Sequence, residues 1–503
     1  MLPNPASDEY LLTVHAINPI VEKEVRRKFD RFIMPIVFLS YMFAILDRSN
    51  IGNAQTGGMG ADLRFDDNQF EVCYSHLFRY LAALQGCSDS SYLTRVLTVA
   101  FDNLLYPLQG SISALQSVVK NWAGMMICRC LLGVAEACFA PGIPVILSYF
   151  YRREEIGLRV GIYLSAAPLA TSFGGLLAYA IVSYLHSPYL AGWRLLFIAE
   201  GIPPVLLAIA LAIFLPKSPE EAFFLKAYQK KIAEQRTIMQ SGKTGQHRMG
   251  WSNIKPKQIW KTMVDPQTVV HGLMGFCCNV SFASLPVFLP TILTTMGFSK
   301  VASQGLTAPP YLFAFVVCIL STWFADKFKQ RGYTIAALSL VGSLGYILLA
   351  TLPLDNTLGR YASIFLAAAG VFSAIANILP WSLNNQPTDT ARGAGMSIFG
   401  YLSQTGPLLG TRMFPVYDGP HYTKGLVICA AFMFLNFVLS LLLRWYYVHM
   451  NNRHISLLAA MALADGSRMA VGAKPVEIVD PRRRLRNVGL SEMADTINYR
   501  LIL

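Results

Sequence analysis

Asp47, Arg48, Asn50 and Asn53 follow directly on the apolar run Phe32–Leu46 (FIMPIVFLSYMFAIL), a stretch that can enter a bilayer. An ionisable side chain at membrane depth costs about 2.5–3.5 kcal/mol on insertion scales, so its presence points to pairing or transport. At about 1.5 Å per residue, Asp47 lies roughly 22 Å above Phe32, still inside a hydrocarbon layer about 30 Å thick. That depth weakens the competing reading, in which Asp47 and Arg48 merely wet the rim of a helix. An acid and a base in such a cavity can do two kinds of chemistry. A carboxyl group in a low-dielectric site can exchange a proton near neutral pH. A guanidinium can take a carboxylate through two parallel hydrogen bonds, where a lysine offers only a point charge.

A second acid and base, Arg129 and Glu136, stand in the apolar run 121–150. Their spacing is about two helical turns, which puts them on nearly one face. If the first span runs outward and the fourth inward, Arg129 reaches the depth of Asp47, and the two are expected to pair. Such a pair could simply lock two helices together, but Arg48 and Glu136 would then need partners of their own. Other polar residues carry weaker signals. Asn279 and Ser281 in 266–290, and Gln404 in 394–416, either line a cavity or bond neighbouring helices. Gly406, Pro407 and Gly410 suit a close crossing or a kink. Asn384, Asn385 and Arg392 form a gate or cap helices at the cytoplasmic end of the tenth span. Asn279-Val280-Ser281 matches a glycosylation sequon but sits inside an apolar run. No phosphate-binding loop, zinc-protease motif or nucleophile elbow is present, so the chain is not read as an enzyme, and no cofactor is expected.

The elements that must position these residues are membrane helices. The 503 residues are 54% hydrophobic and 14% charged, where a soluble domain carries about 25% charge. The net charge of +13 falls in segments between apolar runs, not on one basic face. Basic cytoplasmic loops explain it without a nucleic-acid partner. Cys128, Cys130, Cys138, Cys277, Cys278, Cys318 and Cys429 all lie in apolar runs, with neither zinc spacing nor a disulfide framework. The polar N-terminus through Asp30 is not read as a cleavable signal.

In order, residues 1–31 form a basic cytoplasmic segment and 32–216 a six-helix bundle. Residues 217–265 are a hydrophilic linker, amphipathic near 218–236; 266–448 form a second six-helix bundle, and 449–503 a polar cytoplasmic tail. Apolar spans fall near 32–54, 121–150, 160–185 and 194–215, then 266–290, 305–325, 333–353, 361–382, 394–416 and 424–448. Residues 55–68 read as an outer loop. The second and third spans are poor: 69–86 contains His76 and Arg79, Asp89 and Arg95 follow, and 96–118 is broken by Asp102 and Asn103. Basic clusters precede span 1, separate spans 4 and 5, 6 and 7, and 8 and 9, and follow span 12. With twelve crossings all of them lie on one side, which puts both termini in the cytoplasm. The fold class is all-α, twelve membrane helices as six plus six. Two halves around a cytoplasmic insert match the repeated design of secondary transporters, with substrate held between them near the midplane.

With these residues assembled, the chain resembles the major facilitator superfamily. Within it, the chain is similar to the anion:cation symporter family in its fungal allantoate-permease branch. The resemblance rests on Leu46-Asp47-Arg48-Ser49-Asn50-Ile51-Gly52-Asn53-Ala54 and on Cys128-Arg129-Cys130-Leu131-Leu132-Gly133-Val134-Ala135-Glu136-Ala137. Trp193–Pro203, Leu215–Glu220, Phe288-Leu289-Pro290, Gly297-Phe298-Ser299, Asn384-Asn385 and Gly406–Thr411 add to it, over residues 31 to 450. What the resemblance implies is proton-coupled uptake of a small organic anion by a monomer in the plasma membrane, the proton being the coupling ion. Asp47 and Glu136 match the family's proton-coupling acids, and Arg48 its receiver of the substrate carboxylate. Arg129 matches the arginine that pairs with the acids. Asp326, Lys327 and Arg331 match the loop signature between spans 8 and 9. The departure is span 2, where Leu84-Gln85-Gly86-Cys87-Ser88-Asp89 replaces an apolar helix ending in Pro-Ser-Asn, so residues 69–110 are expected to differ from an intact gene's product. Two alternatives compete with uptake: an exporting antiporter and a transport-defective relative. Residues 160–185 carry Pro168, Gly174 and Gly175 but not an antiporter's Gly-Pro pattern, which favours import. The anion itself, whether nicotinate, pantothenate, biotin, allantoate or a simple carboxylate, stays open.

Overall fold

The structure, a computed structural model, describes residues 19–64, 106–136, 139–152, 155–184, 190–216, 218–241, 256–386, 389–415 and 418–470. Residues 65–105 lie outside these, and with them the atypical second span. In lipid every backbone group must find its partner within the chain, and a helix achieves this within one segment. Accordingly, no strand occurs among the described residues.

The first half opens with α1 (Pro19–Phe32), which turns at Ile33 into α2 (Met34–Thr56). The basic lead-in is thus helical from Pro19, and Phe29 packs edge-on against Phe150 at 5.3 Å. Gly58, at φ 95°, reverses the chain into the short α3 (Met59–Leu63), inside the stretch expected to be an outer loop. Then come α4 (Tyr106–Leu115), prolonged by a tighter turn at Gln116–Val118, and α5 (Trp122–Glu136). The run 121–150 is shared between α5 and α6 (Phe139–Phe150). The longer helices α7 (Ile156–Tyr184) and α8 (Gly192–Phe214) complete this half. From the hydrophilic insert arise α9 (Ala227–Ser241) and α10 (Pro256–Val264).

The second half starts at Asp265, whose carboxylate accepts the Gln267 N–H at 3.3 Å while Pro266 takes the first helical position of α11 (Pro266–Thr295). Ser299 caps α12 (Lys300–Leu306) in the same manner. There follow α13 (Ala308–Phe328), α14 (Arg331–Thr351), α15 (Thr357–Asn384), α16 (Asp389–Gly410) and α17 (Thr423–Ala470). The last helix continues through the polar residues beyond Asn451. Eight of the described helical stretches are long and apolar enough to cross a membrane: α1–α2, α7, α8, α11, α12–α13, α14, α15 and α17. Leu206, Ile209, Leu320, Leu442 and Trp445 point outward, while Asp47, Arg129, Glu136 and Glu200 are buried. That inside-out distribution is what a bilayer selects.

Two sets of contacts fix this arrangement. At one end, Arg236 of α9 bonds Glu22 of α1 at 3.2 Å and also reaches Glu155, which takes Arg26 as well; Arg159 grips Asp30 at 2.7 Å. This network docks the insert's helix onto the first bundle. Along the interface, α7 runs against α13 and α15, and α2 against α11. Gly161 has Thr322 directly over it, so any side chain there would push the two halves apart. Farther along, the Ser172 hydroxyl donates to the Ala308 carbonyl at 3.0 Å, and the Gln304 amide donates to the Asn53 carbonyl at 3.5 Å.

Candidate functional site

Helix α2 turns about 100° per residue, so neighbours Asp47 and Arg48 face different surroundings. Arg48 Nε donates to Glu136 Oε2 of α5 at 2.6 Å, joining a largely buried cation to a fully buried acid. The Asp47 carboxylate faces α4, where it accepts the Ser113 hydroxyl at 2.6 Å and the Gln109 amide at 3.3 Å. Gln109 Nε2 also lies 3.5 Å from Glu136 Oε1, so one amide spans both acids. Gln109 and Ser113, four residues apart, necessarily share a helix face. Arg129 donates to the Asp47 main-chain carbonyl at 3.0 Å and lies over the Phe197 ring of α8 at 5.7 Å. A buried ion pair must recover a large desolvation cost through close geometry and extra donors. Here the donors come from α4.

Arg48 opens on its other side to a cavity between the halves, lined by Tyr41, Tyr163, Asn279, Phe282, Ser403 and Gln404, among others. The Tyr41 and Tyr163 rings lie 4.3 Å apart. A second, smaller space shares Arg48, Asn279, Phe282 and Gln404 and adds Ser49 and Thr171. Arg48 is the charged residue among those that line either space. Mostly apolar walls with a few convergent polar groups are the usual make-up of a small-molecule site.

The residues singled out in the sequence therefore separate into groups. Asp47, Arg48, Arg129 and Glu136 form one connected cluster, and Arg48, Asn279 and Gln404 share the cavity wall. Asn50 is 1% exposed, lies outside the cavity lining, and neither atom of its amide group has a hydrogen-bond partner. Asp326, Lys327 and Arg331 lie apart, where α13 meets α14: Arg331 bonds Asp326, both close over Gly157 of α7, and Lys327 rests on the Trp323 ring at 4.6 Å. Asn385, buried, ends α15. Three residues of the cluster, Gln109, Ser113 and Phe197, carry no assignment in the sequence reading, and neither does the buried acid Glu200 on the helix of Phe197. Gln109 and Ser113 fall in a run too broken to score as a span. Glu200 was visible as an acid in the apolar stretch 194–215.

The family model described as Major Facilitator Superfamily matches residues 97–411. Curated relatives include the MFS-type transporter efuF of Hormonema carpetanum, 30% identical over 425 residues, covering 84% of this chain and 85% of that one. The MFS transporter prlL of a fungal species is 31% identical over 435 residues, with 85% and 87% covered. The high-affinity nicotinic acid transporter of Saccharomyces cerevisiae is 28% identical over 438 residues, with 86% and 79% covered. Among solved structures, the proton:xylose symporter XylE superposes with a TM-score of 0.66 at 16% identity, over 82% of this chain and 95% of its own. That likeness shows the fold: the all-α major facilitator architecture expected from the apolar runs, with eight membrane-crossing stretches among the described residues.

Proposed function

Since this chain belongs to the Major Facilitator Superfamily and is a multi-pass membrane transporter of that type, not an enzyme, we propose that it carries a small organic anion inward together with a proton. The observation that carries this reading is Arg48, held by Glu136 at 2.6 Å on one side and facing the inter-half cavity on the other. With Glu136 ionised, the guanidinium is satisfied inside the protein. When Glu136 takes up a proton, the attraction weakens, and Arg48 can turn its fork to a substrate carboxylate. Asn279 and Gln404 then offer amide groups to the rest of the substrate, and Tyr41, Tyr163 and Phe282 offer aromatic faces. Proton and anion thus enter one after the other at a shared cation, which is the minimum that symport requires. The relative named as a nicotinic acid transporter supports a carboxylate cargo. The reading includes a monomer in the plasma membrane with both termini cytoplasmic.

The test is uptake of labelled carboxylates, nicotinate, pantothenate and allantoate among them, into transporter-deficient cells at two external pH values. At least one should accumulate, and faster at the lower pH. Entry of none of them, or extrusion of preloaded compound in exchange for external protons, would replace this reading with an exporter or a transport-defective relative.

A further inference from the structure

One buried acid has no part in the mechanism above. Glu200 of α8 is 2% exposed, and neither carboxylate oxygen has a hydrogen-bond partner. Its position is fixed by packing. Trp193 Nε1 donates to Asp62 of α3 at 3.0 Å, and Trp193 packs against Gly57, which holds the start of α8 beside the end of α2. From there Glu200 lies about 12 Å along α8 and Asp47 about 14 Å back along α2, at about 1.5 Å per residue, so the two are level. Gly201 lets the Ala114 backbone of α4 come close, which brings α8 tight against the helix whose Gln109 and Ser113 bond Asp47. Phe197, one turn before Glu200 on the same face, lies under the Arg129 guanidinium at 5.7 Å.

Among the described residues, the charged groups whose fields reach Glu200 are Asp47 from α2 and Arg129 from α5. Residues 107–118, packed against it from α4 and its extension, contain no ionisable side chain. On α7 the ionisable groups are engaged elsewhere or remote: Arg159 on Asp30, Tyr163 against Tyr41, and Tyr179 and Tyr184 toward the far end. An ionised carboxylate with no donor, level with another acid, is among the costliest things a membrane protein can bury. Such a group is tolerated as the neutral acid, and Arg129 is the cation whose field favours the anion.

We propose that Glu200 is a third proton-binding carboxyl group of the coupling site, holding a proton in the conformation described here and passing it to Asp47. In that step the Oε–H bond of Glu200 breaks and an Oδ–H bond forms on Asp47. The negative charge moves from Asp47 to Glu200, and Arg129, bonded to the Asp47 main-chain carbonyl, is the cation whose field acts on both acids. The inference rests on reading the Asp47–Glu136 cluster as a proton site, and it needs no knowledge of the cargo.

Infrared spectroscopy of the purified full-length protein, with no substrate added, tests it through the carbonyl stretch of protonated carboxyl groups. Raising the pH should remove such bands from the wild-type spectrum. E200Q should lack one of them and should release one proton fewer across the titration. E200D, which keeps the acid on a shorter stem, should restore a band at a shifted frequency. A wild-type spectrum with no pH-sensitive carboxyl band would overturn the proposal without any variant. So would E200Q spectra that match wild type at every pH, or a Glu200 band that persists unchanged at all of them. Failure of carboxylate uptake in cells would leave these bands in place, so the two proposals fail separately.

Discussion

The first half of the chain brings Asp47, Arg48, Arg129, Glu136 and Glu200 into its interior, whereas the second half presents Asn279, Ser403, Gln404 and aromatic rings to the same cavity. The second half has buried cations of its own, but Arg331 and Arg360 stand at the first turns of α14 and α15, remote from the cavity lining. Its interior is held by neutral pairs such as Asn436 with Ser339 at 2.7 Å and Asn377 with Ser321 at 3.2 Å, the ordinary polar contacts between membrane helices. The difference assigns labour. Charge can be rearranged in one half while the other offers a rigid neutral wall, so protonation alters affinity without dismantling both bundles. Substitutions in the charged half should then change whether transport is driven, and those in the neutral half should change what is carried.

The largest effect is expected at Arg48, where the two halves meet. Arg48→Ala leaves Glu136 without its cation and the substrate carboxylate without its fork. Truncating one partner of a buried charge pair costs roughly 2–5 kcal/mol or more, so uptake should fall on the order of 30-fold to several thousand-fold. Arg48→Lys should remain far below wild type, because an ammonium cannot bond bidentately. Initial-rate uptake by lysine and alanine variants matched for surface expression checks this, and a lysine variant at wild-type rate would break the comparison.

Next in size is the bridge between the acids. Gln109→Leu removes the amide that spans Asp47 and Glu136. A hydrogen bond to a charged group is worth about 1.5–3 kcal/mol, so half-maximal uptake should move about tenfold or more in proton concentration, with the maximal rate largely kept. A pH profile coincident with wild type would show that the bridge is structural. The smallest changes belong to the neutral wall. Asn279→Ala and Gln404→Ala each remove about 0.5–1.5 kcal/mol of neutral hydrogen bonding, or roughly 2- to 10-fold in KM. The accumulation ratio at saturation should be unaltered, and its collapse in either variant would erase the division between the halves.

How much of this was legible in the sequence depends on what a pattern encodes. Apolar run length gave the long helices, and ionisable residues in those runs pointed to Asp47, Arg48, Arg129 and Glu136 before any coordinates. Depth along a helix matched Arg129 to Asp47, and the contact is to that residue's carbonyl. Rotation about the helix axis, which depends on packing against α4 and α5, put Arg48 on Glu136 and turned Asp47 toward Ser113. Nothing in one sequence reports that rotation. Gln109 and Ser113 were hidden because their run is short and broken, so its periodicity could not be scored. Glu200 was readable as an anomaly, but its isolation from any donor is a fact of the folded chain. Likewise the amphipathic stretch 218–236 announced a surface helix, while its docking through Arg236 onto Glu22 and Glu155 needed three distant segments to meet.

The division of labour is tested most directly by Glu136→Gln in proteoliposomes, with whichever labelled carboxylate wild type accumulates and an inward proton gradient imposed. Glutamine mimics the protonated acid, so Arg48 is permanently available to the anion while no proton can be bound or released at this position. Exchange of labelled for unlabelled substrate should persist, and concentration above the external level should be lost. A Glu136→Gln protein that still concentrates substrate to the wild-type ratio would contradict the account and leave this acid a structural partner of Arg48.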